Sequence, residues 1–108
     1  MKKFLVLYRS TVSSMEQMTS MTPEQRTVEM GKWMAWGAST GAALVEWGAP
    51  LGESAVLRGS KAPGFAGGYS IVQADSMDAA KLLFDTHPHF GAPGASIELH
   101  EIMSMPGQ

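Results

Sequence analysis

The sequence contains no cysteine. Disulfides, thiolate zinc sites and a cysteine nucleophile are therefore excluded. Charge is also sparse: 17% of residues are Asp, Glu, Lys or Arg, and the net charge is −2. No basic cluster occurs, so a nucleic-acid surface is not expected, because phosphate binding needs concentrated positive charge. No apolar stretch approaches the roughly 20 residues of a membrane span. Phe4 to Tyr8, FLVLY after two lysines, has the look of a secretory leader, but the run is five residues long. It stops at Arg9 with no small-residue cleavage site, so the expectation is a cytoplasmic chain with no leader. The phosphate-cradling patterns G-x-G-x-x-G and G-x-x-x-x-G-K-S/T are absent. Ser13-Ser14 lacks a G-x-S-x-G context, which argues against a serine hydrolase.

What is present suits one globular domain spanning residues 1–108, with 44% apolar residues and enough length to bury a core unaided. The stretch from Thr22 to Gly48 reads as one long helix holding all three tryptophans. Thr22 is a good N-cap, Pro23 suits the first helical position, and Gln25 completes a capping box. Lys32, Ser39 and Glu46 form a narrow solvent line. Opposite them lie Met30, Gly37, Gly41 and Leu44, whose G-x-x-x-G spacing invites close backbone approach. A third stripe holds Trp33, Trp36, Thr40 and Trp47, preceded by Glu29 and Arg26. So little of this helix is wettable that it needs cover on more than one side, from a sheet and from a partner or ligand.

In chain order, Lys3 to Arg9 predicts a first strand with Phe4, Val6 and Tyr8 on one face and Leu5 and Leu7 on the other. Apolar residues on both faces mean a central strand covered twice. Ser10 to Met21 is read as a loop with room for a short helical turn. After the long helix, Gly48-Ala49-Pro50 is a stop, Leu51 to Arg58 a second strand and Gly59 to Gly67 a flexible loop. Gly68 to Ala74 is the third strand. Asp75 or Ser76 caps a second helix whose buried side is Ala79, Leu82, Leu83 and Phe84; it ends by Thr86 because Pro88 disfavours helix at His87. His87 to Gly94 is a loop, and Ser96 to Met103 the last strand, with Glu98, His100 and Ile102 sharing a face.

The order β-α-β-β-α-β, closed by right-handed crossovers, predicts an α+β, ferredoxin-like plan: a four-stranded antiparallel sheet with the helices on one face. That plan leaves the other sheet face bare. A first strand apolar on both faces calls for two copies paired sheet to sheet, a twofold homodimer.

MGKWMAWGASTGAALVEWGAPLGE, GGYSIVQADSMDAAKLLF, HPHF and ASIELHEIMSMPG together resemble the YCII-related (YciI-like) proteins over nearly the whole chain. The resemblance is nearest to a subgroup with a glycine-tyrosine third strand, an Ala-Asp-Ser helix start and the tail Glu101-Ile102-Met103-Ser104-Met105-Pro106-Gly107. It implies a dimeric α/β barrel. In YciI-like proteins proper, a helical histidine and an aspartate before a proline are the suggested catalytic pair. Those positions fall near Met30 and at His87 here, so that pair does not carry over.

The chemistry left to this chain is histidine-centred. His87-Pro88-His89 sets two imidazoles on one loop, with His100 a candidate neighbour, and Glu98 stands two residues from His100 on the same strand face. They fit general acid/base work near neutral pH, or two ligands of a metal; the simpler alternative is exposed loop residues, with Pro88 merely shaping the turn. Trp33, Trp36, Glu29 and Arg26, with Tyr8 and Tyr69, either line an apolar small-molecule pocket or form core and interface. The expectation is a pocket between the tryptophan helix and the sheet, taking a small apolar or aromatic metabolite, with no metal and no cofactor. Enzyme and non-catalytic dimeric binding module both remain open.

Overall fold

The computed structural model describes residues 1–106; Gly107, the end of the tail motif, and Gln108 lie outside the described residues. Four strands, β1 (Lys2–Ser10), β2 (Leu44–Pro50), β3 (Phe65–Ala74) and β4 (Ser96–Ile102), form one antiparallel sheet in the order β2-β3-β1-β4. Three helices, α1 (Ser14–Ser20), α2 (Pro23–Thr40) and α3 (Met77–Leu82), complete an α+β fold compatible with the ferredoxin-like plan. β1 and β2 run parallel with β3 between them, and β3 and β4 run parallel with β1 between them. The chain is therefore two interlocked split β-α-β units.

β1 is central and alternates as its sequence requires. Phe4, Val6 and Tyr8 are buried beneath the helices with Ser70 and Val72 of β3, against Trp36 of α2, Ala80 of α3 and Phe84. Leu5 and Leu7 face the other way, paired with Ile71 and Tyr69 on one side and with His100 and Glu98 on the other. Among the described residues no helix covers that second face, where Leu5, Leu7 and Ile71 stay half exposed.

The long helix is shorter than the sequence suggests. α2 starts as expected, with Thr22 accepting from the Gln25 backbone N–H at 3.1 Å and Gln25 reaching back to the Thr22 N–H at 2.8 Å. It stops at Thr40, because Gly41 at φ +60° ends the helix and returns its N–H to the Gly37 carbonyl. A 3-10 turn over Gly41–Ala43 follows, and Leu44 to Pro50 then pairs with β3 as β2. Trp47 and Glu46 are thus strand residues, and the expected strand at 51–58 is irregular chain instead. The cause is competition: Val45 and Trp47 suit a pleated edge, and β3 offers a partner ladder that helical periodicity could not reveal. Pro50 is tolerated at the end of β2, an edge strand.

Of the G-x-x-x-G pair only Gly37 meets a close neighbour, and that neighbour is a side chain rather than a backbone; among the described residues nothing lies near Gly41, which ends the helix. A Cβ at Gly37 would overlap the Trp47 ring, so this glycine lets β2 place an indole against the helix. Gly48, at φ +74°, is also held: a Cβ there would run into the Tyr69 carbonyl.

Other boundaries differ less. The 10–21 loop contains α1, capped by Ser13, which accepts from the Glu16 N–H at 3.2 Å. Ser76, not Asp75, caps α3. Leu82, expected to be buried, is 68% exposed; Ala80 takes its place in the core because α3 ends after six residues and the chain turns before Phe84. α2 is also wetter than its composition suggests: only Trp36 and Gly37 are buried, while Met30 and Met34 are exposed. Its first half stands off the sheet.

Candidate functional site

The gap beneath that raised half is a cavity of about 400 Å³. α2 contributes Arg26, Glu29, Met30, Trp33 and Met34; α1 and the residue after it contribute Ser14, Gln17, Met18 and Met21; β2 contributes Trp47 to Pro50. Tyr8, His89 and the Gly67-Gly68 segment close the inner wall. The β1–β3 register slips between Tyr8 and Arg9, which makes a bulge on β3 at this wall. Bulges of this kind commonly re-aim a strand beside a site. α1 is tied down at the rim by Ser14, whose hydroxyl donates to the Leu51 carbonyl at 2.7 Å. A wider hollow of about 570 Å³ at the other end of the sheet runs along Lys2, Lys3 and Glu101 and is lined by no histidine.

The His87-Pro88-His89 segment begins a 3-10 turn, with Pro88 fixing its first φ. His87 caps this turn: its Nδ1 accepts from the His89 backbone N–H at 3.0 Å. A backbone N–H only donates, so Nδ1 holds the lone pair, and the neutral ring carries its proton on Nε2. That Nε2 is buried without a hydrogen-bond partner among the described residues. Aromatic rings enclose it instead: Trp33 and Trp36 at centroid distances of 4.4 Å, Tyr8 at 5.0 Å and Phe84 at 5.7 Å. Burial, reinforced by the nearby His89, pushes the His87 pKa down to about 4. His87 is a neutral member of the core.

His89 is placed differently. Its Nε2 lies 2.8 Å from the Arg9 carbonyl and 3.1 Å from the Ser96 carbonyl, where β1 and β4 pair. Both partners are acceptors, so Nε2 carries a proton, and in the neutral ring the lone pair is on Nδ1. No donor among the described residues engages Nδ1, and the residue borders the cavity.

Tyr8 separates these two environments. Its hydroxyl donates to Ser70 Oγ at 2.9 Å, and Ser70 donates onward to the Trp47 carbonyl at 2.7 Å. Burial raises the Tyr8 pKa to about 12, with the Ser70 hydrogen bond acting in the opposite direction.

The fold thus gathers Tyr8, Trp33, Glu29, Arg26 and His89 around one cavity, with His87 behind Tyr8 and Trp33. Trp36 is not on the wall: it is 5% exposed and donates its indole N–H to the Leu83 carbonyl at 2.8 Å. Tyr69 borders the cavity, but its register opposite Leu7 sets its ring on the open sheet face, where the hydroxyl donates to Glu46 at 3.0 Å. That hydrogen bond and the charge of Glu46 raise the Tyr69 pKa. Glu98 and His100 share the open face too, opposite Leu7 and Leu5, and Glu98 lies 3.7 Å from Arg9 Nε. His100 is therefore not a neighbour of His87 and His89. Among the described residues no three His, Asp or Glu side chains gather as a metal site.

Sequence reasoning gave no role to Ser14, Gln17, Met18 and Met21. The signal was there: Ser13-x-x-Glu16 is a helix start, and the helix it opens forms one side of the cavity. No comparable signal exists for the His89 contacts, since both partners are backbone carbonyls. No protein-family model matches the chain, and no curated protein matches it. Among the described residues no helix is long and apolar enough to cross a membrane.

Proposed function

We propose that this chain is a YCII-related small-molecule enzyme that moves a proton on an apolar or aromatic ligand held between α2 and the sheet, with His89 as the acid/base group. The supporting observation is the fixed ring of His89. With Nε2–H held by the carbonyls of Arg9 and Ser96, the lone pair on Nδ1 has one orientation and one tautomer, as a general base requires. When Nδ1 takes a proton, the ring becomes cationic and the two hydrogen bonds to carbonyls strengthen. The Met and Trp wall is largely apolar and favours an uncharged ligand body. The proposed reaction needs no metal and no cofactor, and its setting is the cytoplasm.

The working unit is a homodimer joined through the open sheet face as a dimeric α/β barrel. The protomer is flat, 20 Å in its shortest dimension, with a radius of gyration of 14.9 Å where about 13 Å is usual for this length. Its accessible surface is 7451 Å², against about 5,800 Å² expected of a compact monomer of this mass. The excess, roughly 1,600 Å² on one protomer, is about twice the ~800 Å² that each partner buries in a standard protein interface.

A thermal-shift screen of small aromatic compounds, followed by NMR of the stabilising ones, tests the reading. Wild-type protein should exchange a ligand proton for deuterium or convert the ligand. His89→Gln should still be stabilised by the same compound but should not react. One observation favours the second reading, a non-catalytic metabolite-binding module: among the described residues no carboxylate orients His89, and the wall's Glu29 is held by Lys32 at 2.9 Å. Equal stabilisation of both proteins with no exchange in either would decide for that module.

A further inference from the structure

The hydrogen-bonding groups on the cavity wall define the polarity of the ligand, on the reading just given that this cavity is the site. The uncharged donors are mostly used within the protein. Ser14 donates to the Leu51 carbonyl, and Gln17 Nε2 lies 3.0 Å from Ser10 Oγ and 2.9 Å from the Val12 carbonyl. Tyr8 donates to Ser70, and His89 Nε2–H to two carbonyls. What these side chains still offer is lone pairs: the oxygens of Tyr8, Ser14 and Gln17, and Nδ1 of His89, with Tyr8 and His89 at the inner wall.

The charged groups behave in the opposite way. Glu29, the acid on the wall, is paired with Lys32 in an exposed ion pair at 2.9 Å. Arg26 forms no ion pair with a carboxylate among the described residues; its Nη1 donates to the carbonyls of Met18 at 3.0 Å and Met21 at 3.4 Å. Those two bonds hold one corner of the guanidinium and leave Nε and Nη2 without a protein acceptor among the described residues. A free edge of two N–H groups matches a carboxylate. The first turn of α2 does not compete for that anion, since Thr22 and Gln25 already cap it. Arg26 precedes Trp33 by seven residues on α2, which puts it about 10 Å along the helix axis from the ring that packs against Tyr8. Between the two ends lie the thioethers of Met18, Met21, Met30 and Met34, polarizable groups that pack well on aromatic rings.

We infer that the ligand is an elongated aromatic monocarboxylate with a hydroxyl or N–H at its far end. The carboxylate pairs with Arg26, the ring lies among the methionines and Trp33, and the distal donor meets Tyr8 and His89 Nδ1.

Isothermal titration of the full chain with 4-hydroxyphenylpropanoate, its primary amide and phenylpropanoate tests this. The hydroxy acid should bind at least tenfold more tightly than the amide, and severalfold more tightly than the acid lacking the hydroxyl. Arg26→Gln should reduce the hydroxy acid to the affinity of the amide while leaving the amide unchanged, which also shows that the variant is folded. Arg26→Lys, which keeps the charge but not the two-pronged edge, should fall between. Equal binding of acid and amide to wild type overturns the carboxylate assignment and leaves the cavity reading standing. Affinity for the hydroxy acid unchanged in Arg26→Gln overturns it as well. No binding of any of the three at millimolar concentration overturns both.

Discussion

The backbone N–H of His89 donates to Nδ1 of His87 at 3.0 Å, and this one bond gives the two histidines different work. It fixes the proton of His87 on Nε2, inside a box of Tyr8, Trp33, Trp36 and Phe84. It also starts the turn that brings His89 to the cavity.

The buried His87 makes stability depend on pH. Its pKa is about 4 in the folded chain against 6.5 ordinarily, so between those values the unfolded chain binds the extra proton. The contribution is fully present above pH 6.5 and is lost as pH falls toward 4. The size is on the order of 2 kcal/mol, below the full linkage value because solvent screens part of the penalty. Urea unfolding at pH 7 and pH 4.5 should record that loss in wild type. In His87→Asn, which keeps a capping acceptor, the slope should be flatter; an unchanged slope would move its origin elsewhere.

Gly37→Ala should destabilise the protein although alanine is the better helix former. The propensity gain is about 1 kcal/mol, whereas the new methyl group meets the Trp47 ring and overpacking of this kind costs roughly 1–3 kcal/mol. In a Trp47→Leu background the sign should reverse. Denaturant midpoints of the four proteins in this cycle measure the coupling.

Ser70→Ala removes the acceptor of the buried Tyr8 hydroxyl and should cost about 1–3 kcal/mol. Tyr8→Phe combined with Ser70→Ala should be milder than Ser70→Ala alone, because no buried donor is then stranded. Thermal melts suffice, and a double variant worse than the single one would count against the hydrogen bond as drawn.

Leu5 lies mid-strand on the open sheet face, opposite Ile71 and His100. Sedimentation of wild type at micromolar concentration should show a dimer, and Leu5→Lys should give monomers with near-native circular dichroism. A wild-type monomer would remove the sheet-to-sheet pairing and with it the barrel.

Much of the fold could be read from local chemistry. The alternation of Phe4, Val6 and Tyr8 against Leu5 and Leu7 marks β1 as a central strand. Thr22-Pro23-x-Gln25 marks the start of α2, and Ser76 that of α3. The end of α2 could not be read in this way. Gly41 ends a helix or packs within one with equal ease, and Leu44 to Trp47 continues the helical period while also suiting a strand. The choice between them came from the hydrogen-bonding edge of β3, which lies more than twenty residues further along the chain. The site divides along the same line. Tyr8, Trp33, Arg26, Glu29 and His89 carry side chains whose chemistry is plain from their identities; Trp36, Tyr69, Glu98 and His100 look just as suitable until the faces they occupy are known.

By itself the sequence determined which segments bury one face, where two of the helices begin, and which side chains, three histidines and Glu98, are candidates for acid/base work. Those are properties of side chains and of the few residues beside them. Only the tertiary structure decided that His87 sits in an aromatic box while His89 reaches the cavity, and that His100 stands on the far side of the sheet. Burial and hydrogen-bond partners depend on strand register and on backbone carbonyls from distant segments, and a carbonyl has the same chemistry whichever residue carries it.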